Sequence, residues 1–358
     1  MSQLYDAGYY VPAFEVVIDG KKLKPEVQKS ISTITVTKKI DQADHFSFEV
    51  QDEFNNGKFK WLGKDPFKYG KPVSIKMGYV GKTTLTMKAL IDKISPKFMT
   101  GAIPTFTVEG IDKSFSLLKE KSEQKTYVNK KDSDIVKAIA SEVGLSTQVD
   151  TTSGEPEAEK KKNGGTSNLD FIRNLVKDNE GFEFFITDGK LYFRKTGVSE
   201  SAALTLEWGK HLVSFDPQLN VADLATEVIV RSWNEKDKKK IEGKAVAGNE
   251  RKQESGKKMA SQIAKEIFGN KVKVITDQPM QDDAEAKKLA ISVLEESSRN
   301  FITGSGTTVG IPDLKPGICV ELKNLGEWFS GKYYVVSTVH TIDTSGYKTT
   351  FNTRRNAL

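Results

Sequence analysis

Three histidines, one cysteine, a glycine-lysine-threonine triplet, a pair of glutamates and a Gly-Ser-Gly run are the residues from which this chain would have to build chemistry. Gly81-Lys82-Thr83 has the ending of a phosphate-binding loop, in which backbone amides and a lysine hold phosphate oxygens. Such a loop needs a glycine five positions before Gly81, where this chain has Lys76, and a helix afterwards, where Thr84 to Ile94 alternates as a strand. The triplet therefore reads as a hairpin turn. His45, His211 and His340 fall on different expected strands, none with a ligand partner at i+2 or i+4, so no metal site is expected. Gly304-Ser305-Gly306 lacks the Gly-x-Ser-x-Gly pattern of a nucleophile elbow and reads as a flexible turn. Glu180 and Glu183 are of the type used in glycoside hydrolysis, but they flank the alternating stretch Phe182 to Phe185 and read as its solvent face. Cys319 lies in the apolar strand Ile318 to Leu322, which excludes a disulfide within the chain and a thiolate metal cage, and reads as a buried small hydrophobe. Neither an enzymatic activity nor a cofactor is expected from these residues.

The 358 residues suffice for two to four domains with real cores. No window approaches the ~18 apolar residues of a membrane span, and Met1 to Pro12 has neither a secretory nor a transit pattern, so assembly in a bacterial cytoplasm is expected. The net charge of +6 comes with lysines in short runs, at 160 to 162, 236 to 240, and 257 with 258. A nucleic-acid surface is better served by arginines interleaved with aromatics on one element, so the lysines read as solvated loops with no specific nucleic-acid partner.

The elements that must position any site repeat themselves. Gly70, Val73, Ile75, the turn at Gly81, a strand through Leu90, Ile91 and Ile94, Gly101, Thr105 and Phe106 are echoed by Gly317, Val320, Leu322, Gly326, Val335, Val336 and Val339, Gly346, Thr350 and Phe351. The spacing is nearly constant (326 − 81 = 245; 346 − 101 = 245). That pattern predicts a duplicated β-module.

Residues 14 to 112 alternate as about seven strands, the density of a barrel or sandwich. A helix is predicted over Ile135 to Val143, capped by Asp132 or Ser133 and ended by Gly144, and a second after Ser167, where Ser-x-x-Asp reaches Asp170. Strands return from Leu204, followed by a polar insert with a short helix through Met259, Ile263 and Ile267, a strand Val272 to Ile275, and a helix over 284 to 298. The expected fold is mainly β with α+β inserts: a first β-barrel domain at 1–118, a small α/β domain at 119–199, and a second β-barrel domain at 200–358 with a helical and polar insert at about 243–300.

Ser167-Asn-Leu-Asp-Phe-Ile-Arg-Asn-Leu-Val176 with Glu180-Gly-Phe-Glu-Phe-Phe185 resembles the helix-then-hairpin segment of the late control protein D family and of valine-glycine-repeat secretion spikes. The tail, with Gly304-Ser-Gly306, Pro312 to Gly317, Phe329 to Val335, His340 and Gly346-Tyr347, is similar to the end of that family's hub region. Phe14 to Gly20, Ile31 to Val36, Asp44-His-Phe46 and Gly110 to Ser114 fit its opening, so the resemblance runs in order along nearly the whole chain. It implies a baseplate hub of a contractile tail, tailocin or injection particle: a homotrimeric torus whose six similar lobes adapt a six-fold tail tube to a three-fold spike around a channel. The implied partners are a tail tube or tube-initiator protein, a tape measure protein, other baseplate proteins and a spike. The sequence ends at Leu358 without an oligonucleotide-binding-fold or β-helical segment, so the spike is expected to be a separate protein.

Contact between copies is expected through unpaired strand edges. Val73, Ile75 and Met77, and Val320 with Leu322, are the sequence candidates. The alternative is a monomeric β-barrel protein that binds polysaccharide or nucleic acid through exposed aromatics, with Trp61, Trp208, Trp233 and Trp328 as its candidates.

Overall fold

Turn glycines separated by alternating apolar residues give the N-terminal part of the chain its strands, because a period of two puts every second side chain on one face. In the computed structural model residues 11–358 are described, apart from 41, 122, 154–155, 180, 188, 198–199 and 235–236 and the side chains of Leu85 and Glu157. Glu180, one of the two glutamates singled out above, thus lies outside the described residues, as does Asp188, which with Gly189 has the Asp-Gly pattern of a hairpin turn.

The first part runs β1 (Pro12–Ile18), β2 (Lys21–Lys22), α1 (Pro25–Lys29), β3 (Ile31–Lys39), β4 (His45–Gln51), β5 (Phe54–Asn55), β6 (Lys58–Phe59), β7 (Pro72–Tyr79), β8 (Lys82–Lys97) and β9 (Thr105–Ile111). Next come α2 (Lys113–Lys119), β10 (Lys125–Lys130), α3 (Asp132–Glu142), β11 (Ser146–Val149), β12 (Glu157–Lys162), α4 (Asn168–Asp178), β13 (Phe182–Thr187) and β14 (Lys190–Lys195). The remainder is β15 (Leu204–Glu207), β16 (Leu212–Leu219), β17 (Glu227–Asn234), β18 (Lys239–Val246), α5 (Ala260–Phe268), β19 (Val272–Ile275), α6 (Asp283–Ser298), β20 (Ile302–Val309), β21 (Cys319–Lys323), α7 (Gly326–Phe329), β22 (Gly331–Asp343) and β23 (Gly346–Arg355).

The protein is mainly β, as expected. One 13-stranded sheet dominates, in the order β16-β20-β23-β22-β3-β4-β9-β8-β7-β1-β2, with β21 paired to β22 and β15 paired to β21. Its strands from the two ends of the chain cover two separate apolar clusters. One gathers Phe46, Phe48, Phe67, Ile75, Met87 and Phe106; the other gathers Leu206, Phe301, Leu314, Val320, Tyr333 and Phe351.

Between these strands in sequence lies an α/β layer with its own core. Ile135, Val136 and Ile139 from α3 meet Leu169, Ile172 and Leu175 from α4 and Phe182, Leu191 and Phe193 from the β13–β14 hairpin. The start of α4 follows the expected pattern, since Ser167 accepts the Asp170 amide at 3.0 Å. At α3 the capping residue is Lys131, without a side-chain bond, and Asp132 is the first helical residue. Its carboxylate is drawn away by Lys160 at 3.0 Å and by the Asn179 amide at 2.6 Å, which leaves it no part in capping.

The insert expected at about 243–300 lies within a larger unit. β17, β18 and β19 form a sheet of their own, and α6 packs on it through Ala286, Ala290 and Leu294. Gly243 lets the helix sit that close, because a Cβ there would lie 2.1 Å from the carbonyl carbon of Ala286. Gly304-Ser305-Gly306 is part of strand β20, not a turn. The rings of Phe215 and Phe351 lie over the two glycines, 2.2 and 2.5 Å from where a Cβ would be, so the glycines make room for aromatics.

Gly243→Ala is expected to push α6 off β18 and to cost about 1–3 kcal/mol, as overpacking of a filled core does. A urea midpoint unchanged from the wild type would contradict this account of the contact.

Candidate functional site

The large sheet contains one arrangement twice. β3-β4-β9-β8-β7 and β16-β20-β23-β22-β21 follow the same order, antiparallel throughout. Two of their irregularities coincide, while the shift of β7 on β8 at Ile75/Lys76 has no counterpart between β21 and β22. β3 shifts register between Ile31 and Thr33, against Val50 and Glu49; β16 does so between Leu212 and Ser214, against Thr308 and Thr307. β8 shifts between Ile91 and Lys93, against Gly110 and Glu109; β22 does so between Val335 and Ser337, against Thr353 and Asn352. Val73 faces Ala89 in one unit as Val320 faces Tyr333 in the other. Bulges are specific local features, so shared bulges equate the two units residue by residue.

The two units join side by side within the chain. β22 pairs with β21 near its start, and its later residues pair with β3 in a ladder from Ser337 opposite Lys39 to Ile342 opposite Ile34. The Ile40 amide continues that ladder to the Val336 carbonyl at 3.1 Å. Ile342 and Tyr347, from the β22–β23 hairpin, pack into the core of the first unit. The Tyr79 ring lies 5.6 Å from that of Tyr347, and its hydroxyl donates to the Gly310 carbonyl at 2.9 Å.

Buried polar groups fasten this junction to its surroundings. His340 sits in the ladder with Nε2 3.0 Å from the Leu314 carbonyl, which only accepts, so Nε2 carries the proton. Nδ1 then accepts from the hydroxyls of Tyr347 at 3.0 Å and Thr349 at 3.2 Å. Burial, and to a lesser degree the charge of Lys38, pulls the imidazole down from its ordinary 6.5 to about 4. Lys38 itself is buried 4.0 Å from Asp44, and Thr187 of the β13–β14 hairpin donates to Asp44 at 2.7 Å.

The same hairpin grips the second unit from its other strand positions. Glu183 accepts Arg194 Nε at 3.0 Å and the hydroxyl of Tyr334, while Arg194 donates to the Gly317 carbonyl at 2.6 Å. Glu183 is buried, so it does not belong to a solvent face; alternation missed it because β13 is covered on both sides. Burial, then the neighbouring Glu183, holds the Tyr334 phenol well above 10, so it remains a donor. Burial also pushes the Cys319 thiol up to about 11, which leaves it the inert small group expected.

The remaining candidates are dispersed. Gly81, at φ 85°, closes the tight turn from β7 into β8, and Lys82 and Thr83 are the first residues of β8, opposite Tyr79 and Gly78. His45 on β4 stands two strands from His340 on β22, and His211 lies in the turn before β16 rather than on a strand; among the described residues no group of three or more His, Cys, Asp or Glu is arranged to hold a metal ion. Trp208, Trp233 and Trp328 are exposed on separate elements, and Trp61 is half-buried against the first core.

Val73, Ile75, Met77, Val320 and Leu322 are all buried. β7 has β1 and β8 on its two sides, and β21 has β15 and β22, so neither offers the open edge that motivated their choice. Among the strands of the two equivalent units, open sides belong instead to β16, whose ladder partner is β20, and to Lys93–Lys97 of β8, paired with β9. Their signal in the sequence was a proline inside each strand, Pro217 and Pro96, since proline is tolerated in a sheet where its nitrogen faces away from a neighbour.

Because His340 takes up a proton less readily when folded, the unfolded chain binds that proton first as the pH falls. Stability from this group is full above about 6.5 and declines toward about 4, by about 3 kcal/mol in all. Urea melts at a series of pH values check this: His340→Gln should flatten the acid slope, and equal slopes would contradict the assignment.

The prophage MuSo2 43 kDa tail protein of Shewanella oneidensis has the same fold, at a TM-score of 0.74 and 16% identity over 96% of this chain and 98% of that one. A tail protein of Neisseria meningitidis superposes with a TM-score of 0.70 at 13% identity over 97% of both chains. A type VI secretion system component of E. coli, itself described as similar in structure to the T4 tail proteins gp27 and gp5, follows at 0.54 and 11% identity over 94% of this chain and 76% of its own. The resemblance to the hub family read from the sequence therefore holds for the fold. No curated protein matches the chain in sequence. The family model described as the Alg8 N-terminal domain matches residues 10–344.

Proposed function

We propose that this chain, which belongs to the Alg8 N-terminal domain family, is a structural hub in the baseplate of a contractile phage tail or a related injection system. Three copies form a ring in which six like units surround a channel, so that a six-fold tail tube meets a three-fold spike. The observation that carries the reading is the pair of equivalent five-strand units joined edge to edge by β22 and β3. A contact that sets one unit beside its equivalent is of the kind that repeats around a ring, and closed cyclic assemblies are the common solution for such contacts.

The fold shared with phage tail proteins and a type VI secretion component supports the same reading. In this role the chain is a domain layout of two β units, at 1–118 and 200–358, bridged by the α/β layer at 119–199. Its partners are a separate spike protein, a tail tube or tube-initiator protein, a tape measure protein and other baseplate proteins. The particle is assembled in the bacterial cytoplasm and the work is mechanical, with no catalytic step assigned.

Class averages of the purified chain in negative stain, with and without a co-expressed spike protein, test the proposal. Three-fold rings with six lobes around a hole are expected. Compact single particles in both samples would overturn it and would favour a monomeric binding protein.

A further inference from the structure

We infer that copies of this chain join by laying the open side of β16 on Lys93–Lys97 of β8 in the next copy, in the register that β3 uses on β22. The inference rests on the ring reading above and names its seam. Within the chain β3 stands to β4 as β16 stands to β20, and β22 stands to β23 as β8 stands to β9. The used pair of edges, β3 and β22, thus has an unused equivalent pair, β16 and the distal half of β8.

Carrying the internal ladder over residue by residue gives definite neighbours. Thr341 opposite Thr35 becomes Lys97 opposite Asp216 of the next copy, Val339 opposite Thr37 becomes Ser95 opposite Gln218, and Ile342 opposite Ile34 becomes Phe98 opposite Phe215. Lys97 and Asp216 are exposed, and neither is in an ion pair among the described residues. The register therefore brings opposite charges together without having been chosen to do so.

Apolar surface agrees with it. Ile342 and Tyr347, at the hairpin end of the second unit, are 6% and 5% exposed because they plug the first unit's core. The corresponding hairpin end of the first unit is the loop 98–104, longer than the turn 344–345, and it holds Phe98, Met99 and Ile103 at 62%, 56% and 67% exposure. Clustered apolar exposure of this kind marks a contact surface. On the receiving side Val213 and Trp208 are exposed beside half-buried Phe215, over the second unit's core.

Pro96 and Pro217 take the places of His340 and Val36 in this register. Neither has an amide to donate, so the backbone ladder between copies is interrupted at its centre, and the Phe98 loop with the Lys97–Asp216 pair must carry the contact. The same prolines and lysines discourage indiscriminate strand addition to these edges.

The full chain carrying Ser95→Cys and Gln218→Cys tests the register, since the transferred pair is of the closer, non-hydrogen-bonded kind whose Cβ atoms suit a disulfide, and the native Cys319 is buried. Mild oxidation should yield covalent dimers and trimers on a non-reducing gel, and Ser95→Cys alone should yield none. In parallel, Lys97→Asp should weaken self-association about tenfold or more, and adding Asp216→Lys should restore it. Six-lobed rings without cross-linking by this pair would overturn the seam and leave the hub reading standing. A chain that stays monomeric up to its solubility limit would overturn both.

Discussion

The backbone ladder between β22 and β3 is the constraint on which the rest of this structure depends. An exposed strand edge presents a row of unpaired amides and carbonyls, and a chain that holds two sheets must dispose of four such edges. Here two of them satisfy each other, which fuses what would be separate sheets into a single 13-stranded one. The bulges then follow as necessities of fit. Val335/Ser337 turns β22 away from β21 after its first residues, and the side thereby vacated is the one β3 occupies.

Joining two sheets at one ladder leaves a hinge, and the α/β layer removes it. Its β13–β14 hairpin reaches the first unit through Thr187, Asp44 and Lys38 and the second through Glu183, Arg194 and Tyr334. Lys38, Asp44 and Glu183 are buried charges and Arg194 a partly buried one; such charges are tolerable only when paired and strongly penalise the loss of a partner. Apolar packing alone would let the hairpin slide, whereas hydrogen-bonded ions hold one geometry. The polar seams therefore serve position more than net stability, which comes from the four larger apolar clusters.

The meander β7-β8-β9 and its echo β21-β22-β23 were legible in the sequence because turn glycines and alternation are local signals. The companion strands β3-β4 and β16-β20 were not, since their equivalence lies in pairing across long stretches of chain and in bulges that no spacing displays. Helix α4 announced itself through Ser167 and Asp170. The junction did not: His340 and Glu183 look like ordinary strand residues until distant parts of the chain cover them, Leu314 and Tyr347 at His340 and Tyr334 at Glu183. Gly304 and Gly306 are ambiguous in sequence because glycine signals both turns and close approach, and only the Phe215 and Phe351 rings decide between the two. Apolar content does not mark an edge, because the most apolar strands are the ones a sheet places at its centre. The prolines at 96 and 217 were the better guide.

At the hairpin that follows the long bulged strand, the two units differ: the loop 98–104 stands against the turn 344–345. Two copies of a unit carried in one polypeptide are inherited together but mutate separately. Had they been identical subunits, an added loop would appear at every position and would have to be compatible with all of them. Fused, one unit has kept the plain hairpin that seals the interior of the chain while the other has been free to acquire a different tip, so the duplication records a division of labour written into a single gene.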